Sequence, residues 1–127
     1  MQKPITPTMH GMLDYATSAA VMAAPRIWDM PDNAKRLFDT LAVGYTGLSG
    51  VTDYPLSVRR TVPFKAHGAA EAVIGVALPV LPYVLGFSHN KPARNLCFGL
   101  AALTFIVASL TDWNSPEADR NQQLLPQ

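Results

Sequence analysis

The chain is poor in charge and has one cysteine. Among its 127 residues Lys and Arg number 10 and Asp and Glu 9, for a net charge of +1. A nucleic-acid-binding domain needs a basic stripe or patch, and this balance supplies none. Charged residues make up 15% of the chain, against roughly 25% in ordinary soluble domains. The lone Cys97 excludes an intrachain disulfide and fits no metal-ligand spacing. Lying inside an uncharged run, it reads as a buried, inert thiol. The N-terminus has Lys3, Pro4 and Pro7 but no apolar core before a small-residue cleavage site, so no secretory signal is expected. No nucleophile constellation and no phosphate-binding glycine loop is present, which argues for a non-enzymatic role. The length suits one domain, residues 1–127.

What the chain does have, it has twice. His10-Gly11 is followed by Asp14, and His67-Gly68 by Glu71, an acid four residues after each His. Each motif opens an apolar segment that meets a proline 15 residues after the His, at Pro25 and Pro82. A second apolar segment then closes on Thr52-Asp53-Tyr54 or Thr111-Asp112-Trp113. An offset of 57 aligns the first segments and an offset of 59 the second. The chain therefore reads as two copies of one helical hairpin, at about residues 10–54 and 67–113. A polar tail follows at 114–127 and is expected to fray.

Four helices are expected, over about residues 10–24, 34–52, 66–86 and 93–111. The runs are too long for strands, Ala and Leu dominate them, and strand-like alternation is absent. Asn33 is the expected cap of the second helix, and Pro79 and Pro82 should kink or end the third. Uncharged stretches measure 11, 13, 17 and 17 residues. A spanning helix needs roughly 17–25. The last two stretches reach that range unaided. The first two reach it only if Asp14 and Asp39 lie inside the span, and Lys35 is the expected partner of Asp39. The fourth segment is apolar on every face, which suits lipid better than the centre of so small a domain. Ala16, Ala20 and Ala24, and likewise Gly44, Gly47 and Gly50, form small-residue stripes of the kind that let membrane helices approach closely. The reading is all-α, with four transmembrane helices in a bundle of two parallel hairpin repeats. Lysines and arginines divide evenly between the two sides, so orientation is not legible. A soluble helical bundle is the third option.

Parallel copies bring His10, Asp14, Asp53, His67, Glu71 and Asp112 to one end. Three uses compete. In the first, each His bonds the acid one turn later, and Asp53 and Asp112 are paired helix-end acids at the water boundary. In the second, His10, Asp14, His67 and Glu71 hold a divalent metal, for which imidazole with carboxylate is suited. In the third, His10 and His67 bind haem or a chlorophyll-type pigment, or relay protons. His89, in the last hairpin turn, reads as a solvated loop residue.

The His10–Tyr15 opening, Thr52–Pro55, His67–Glu71 and Pro82–Phe87 together resemble the small bacterial membrane proteins with the SPW repeat. The naming Ser-Pro-Trp is replaced here by Ala24-Pro25-Arg26 and Leu81-Pro82-Tyr83. The resemblance implies a four-helix integral membrane protein, located in the bacterial inner membrane. It implies no activity and no catalytic residues. The leading functional expectation is an accessory subunit whose partners are the lipid bilayer and a larger membrane complex or another copy of itself. The alternative is a cofactor-, metal- or proton-handling protein using the paired His/acid motifs.

Overall fold

The structure is a computed structural model and describes residues 2–118. The described chain is all-α. Helix α1 spans Pro7–Ile27, α2 Asp32–Val51, α3 Phe64–Ala77, α4 Leu81–Val84 and α5 Lys91–Leu110. A 3-10 turn, Pro116–Ala118, follows. Helices α1 and α2 pack as one antiparallel hairpin, and α3 with α4 packs on α5 as a second. Most of the expected fraying tail lies outside the described residues.

Local chemistry sets the helix ends. Thr6 caps α1 by accepting from the Met9 amide at 3.2 Å, and Pro7 sits where its missing N–H costs nothing. Asn90 caps α5 by accepting from Ala93 N at 3.0 Å. Asn33 does not cap α2, whose N-cap is Pro31. It lies in the first turn, and its amide donates to the Leu85 carbonyl. Asn90 Nδ2 donates to Asp29 O at 3.0 Å. The two asparagines thus tie each hairpin turn to the other.

The expected third segment is broken. Pro79 cannot donate, and its ring would clash with a carbonyl of the preceding turn. α3 therefore stops at Ala77 and the chain turns through Leu78-Pro79-Val80. It resumes as α4, with Pro82 in the first turn. Gly86, at φ +80°, takes the left-handed conformation that ends α4, and Phe87 N donates to Pro82 O at 2.9 Å.

At the turn end the core is apolar. Phe38, Phe87, Met30, Leu78, Cys97, Ala34 and Ala93 are buried there, with the rings of Phe38 and Phe87 6.4 Å apart. Cys97 is buried as expected.

Two other expectations are corrected. Asp39 pairs with Arg26 across the turn, at 2.7 and 3.2 Å, instead of with Lys35 one turn away. The bidentate guanidinium is the better partner and reaches it from the neighbouring helix. Among the described residues no helix packs on Gly44, Gly47 and Gly50: a Cβ at any of them would meet nothing within 4 Å.

Among the described residues one helix, α5, is long and apolar enough to cross a membrane, with a mean hydropathy of 1.6. α1 and α2, at 21 and 20 residues, have the length but not the hydropathy. α3 has 14 residues, about 21 Å at 1.5 Å per residue, short of a hydrocarbon core of about 30 Å.

At the opposite end the hairpins clasp. Ile5 forms a parallel bridge with Thr111, and Val62 forms one with Thr52. Asp112 N donates to Ile5 O at 2.8 Å, and Asp53 N to Val62 O at 2.6 Å. The lead-in to each hairpin thus pairs with the last residues of the other. The clasp brings the start of α1 to the end of α5 and the start of α3 to the end of α2.

Candidate functional site

His10, Asp14, His67 and Glu71 meet at this clasped end and are all buried. One residue of each His/acid pair comes from the first turn of α1 or α3, and its acid lies one turn further on. A ligand atom from each of the four can be chosen so that all lie within 4.8 Å of one another. His10 Nε2 lies 3.1 Å from Glu71 Oε2 and 3.3 Å from Asp14 Oδ2. His67 Nε2 lies 2.9 Å from Asp14 Oδ2 and 3.2 Å from Glu71 Oε1. Each His does reach the acid one turn later, but in both cases the nearer carboxylate belongs to the other hairpin. Neither contact of His67 is directed well enough for a hydrogen bond, so its buried Nε2 has no hydrogen-bond partner among the described residues.

The other ring nitrogen of each His is fixed from behind. His10 Nδ1 is 2.9 Å from Thr111 Oγ1, and His67 Nδ1 is 2.8 Å from Thr52 Oγ1. Each Thr hydroxyl donates its own proton one turn back along its helix, to Val107 O or Leu48 O, at 2.6 Å in both cases. The hydroxyl oxygen is then left to accept, so Nδ1 carries the proton in both imidazoles. Both Nε2 atoms therefore face the carboxylates with either a lone pair or a second proton.

Aromatic rings close the outer side. His10 lies edge-on to Phe64 at 5.4 Å and to Trp113 at 5.2 Å, and Tyr54 stacks on Phe64 at 5.9 Å. Burial pushes the Tyr54 phenol above its ordinary range. The motif glycines make room for this roof. A Cβ on Gly11 would collide with the Tyr54 ring, and one on Gly68 would stand 2.7 Å from Trp113. The Gly of each motif therefore seats the aromatic of its own hairpin.

Asp53 and Asp112 do not join the cluster. Asp53 pairs with Arg60 at 2.6 Å, and Asp112 Oδ1 accepts from Asn114 N at 3.2 Å. The two imidazole rings are 5.4 Å apart and their Nε2 atoms face the same carboxylates.

Thr52, Thr111 and Phe64 belong to the site and were not among its expected members. The recurrence of Thr-Asp-aromatic was the available signal for the threonines. Phe64 carried none beyond its place three residues before His67.

Comparison of the chain with protein-family models, with curated proteins and with solved structures found no match.

Proposed function

We propose that this chain is a small membrane protein in which two copies of one helical hairpin hold a single divalent metal ion between them. The carrying observation is the meeting of two imidazole nitrogens with two carboxylates at N···O separations from 2.9 to 3.3 Å, Asp14 facing both rings through Oδ2 and Glu71 offering Oε2 to His10 and Oε1 to His67. Ligand bonds of about 2.0–2.1 Å in a tetrahedral site give edges of about 3.3 Å. Two neutral imidazoles with two carboxylates leave a charge of −2 out of water, which one divalent cation cancels. The threonine behind each His is the kind of outer partner that fixes the tautomer of a metal-bound imidazole. Nitrogen and oxygen donors in tetrahedral array favour zinc or ferrous iron over calcium or magnesium. In that role His10, His67, Asp14 and Glu71 are the ligands, and Thr52 and Thr111 orient the two imidazoles.

The membrane reading is supported by α5, of whose apolar stretch only 22% is buried by the rest of the chain. The core helix of a soluble bundle would be mostly covered. Val43 on α2 and Val73 and Val76 on α3 are likewise exposed. The likeness to the SPW-repeat proteins of the bacterial inner membrane points the same way, as do matching roles at positions 57 and 59 apart. An accessory packing role also has an observation in its favour. The open face of Gly44, Gly47 and Gly50 suits close docking of a partner helix in lipid.

Titration of the detergent-solubilised protein with Zn2+ tests the metal reading. One ion should bind per chain, and an Asp14→Asn, Glu71→Gln double variant should bind none. Absence of binding to the parent protein would point to two protons as the balancing charge instead. Retention in the pellet after alkaline carbonate extraction tests the membrane reading, and release to the supernatant would count against it.

A further inference from the structure

The metal ligands do not close the site on every side. A cavity of about 50 Å³ lies between the two hairpins, inward of the cluster, and both Asp14 and Glu71 line it. Its other polar walls are Thr17, Ser18, Tyr45 and Thr104, and the remainder is aliphatic. On the outer side the clasp, the threonines and the aromatic roof shut the ligands off. The arrangement is one-sided: closed outward, open to a small chamber inward.

We propose that the metal centre is an open one, and that it takes a small uncharged molecule, of two or three heavy atoms, from this chamber. The inference rests on the metal reading above and goes beyond it. Structural metal sites are closed by four protein ligands, whereas reactive ones keep a position free. The chamber adjoins the carboxylate side of the centre, where Glu71 turns a different oxygen toward each imidazole; a carboxylate that holds the metal through both oxygens and shifts to one frees a position. The narrow space against the carboxylates limits the guest, which enters from the side where Leu13 and Leu103, each 40% exposed, form the wall. A water occupies about 10–15 Å³ on this measure, so the chamber holds about three to five waters or one very small molecule. Its walls select for neutrality. No Lys, Arg or His lines it, so an anion would find no counter-charge there, and aliphatic walls would strip water from any ion at high cost. Hydroxyls at Ser18 and Thr104 can still orient a polar guest.

Nitric oxide is a suitable probe, applied without oxygen to the full chain loaded with Fe2+ in detergent. An iron–nitrosyl electron paramagnetic resonance signal should appear in proportion to bound iron. Ser18→Leu, on α1, and Thr104→Leu, on α5, each fill the chamber without touching a ligand. Each should cut the nitrosyl signal at least tenfold while iron uptake and helix content stay at the parent level. If one variant fails to fold, the other decides. Iron-loaded parent protein that gives no nitrosyl signal would overturn the open centre and leave the metal reading standing. So would filled variants that bind nitric oxide as the parent does. A chain that takes up no iron would overturn the metal reading and the open centre with it.

Discussion

The two hairpins agree at one end and part at the other. At the clasped end, matching positions do matching work. His10 and His67 lean on Thr111 and Thr52, Gly11 and Gly68 seat Tyr54 and Trp113, and the bridges of Ile5 and Val62 are equivalent. At the turn end, α1 runs unbroken through Pro25 to Ile27, while the chain after α3 stops, turns and restarts as α4. There Phe38 faces the role that Cys97 has 59 residues later, and Met30 the role of Phe87. The larger side chain of the two pairs comes once from each hairpin, Phe38 from the first and Phe87 from the second. An apolar core asks only that volume be filled. Four donors around one point ask for fixed distances, so the two hairpins are held alike where they meet.

That contrast is open to attack by mutation. The largest effect is expected from His67→Ala. It leaves Asp14 and Glu71 buried with one imidazole between them instead of two and should cost about 3–5 kcal/mol, the usual result of removing one partner from a buried charged pair. His10→Ala should cost as much. Thermal unfolding in detergent measures both, and a large inequality between them would break the equivalence of the two hairpins. Next come Thr52→Val and Thr111→Val, which remove the acceptor behind each Nδ1. Each should weaken zinc binding about 10–100-fold in a competition titration, with helix content unchanged. Gly11→Ala and Gly68→Ala should each destabilise by about 1–3 kcal/mol through overpacking. The Gly11 variant should suffer more, since its new Cβ runs deeper into the opposing ring. The smallest effect belongs to a feature the hairpins do not share. Arg26 and Asp39 form an exposed pair at the turn end, while the corresponding positions hold Tyr83 and Phe98. Arg26→Ala should leave the melting temperature unchanged within error.

Much of this was legible in the residues, for definable reasons. Helix α5 was expected at 93–111 and lies at Lys91–Leu110, because an unbroken apolar run bounded by polar residues leaves little choice. The four residues of the cluster were singled out because His-Gly with an acid four residues on is rare and occurs twice. The cross-pairing was not legible. Spacing along a helix reveals the partner one turn away, whereas the closer carboxylate comes from a helix 57 residues off. The same limit explains Asp39, where a local rule named Lys35 and the turn supplied Arg26. Thr52 and Thr111 look in the sequence like helix-end markers, since nothing in the chain order says that each ends beside the other hairpin's His. Asp53 and Asp112 reach the right end of the molecule but turn away, to Arg60 and to the Asn114 backbone. An uncharged run also hides its own interruption: only Pro79 and Pro82 mark the break after α3, and a proline alone does not say whether a helix will bend or stop.

The central claim is that both hairpins ligate the same ion. X-ray absorption at the zinc edge of the loaded protein examines it most directly. Two imidazole nitrogens and only oxygens besides, at about 2.0–2.1 Å and with no sulfur, is the result expected, falling to one imidazole in the His67→Ala variant. A zinc ion surrounded by water alone, or bound through the Cys97 thiolate, would contradict it.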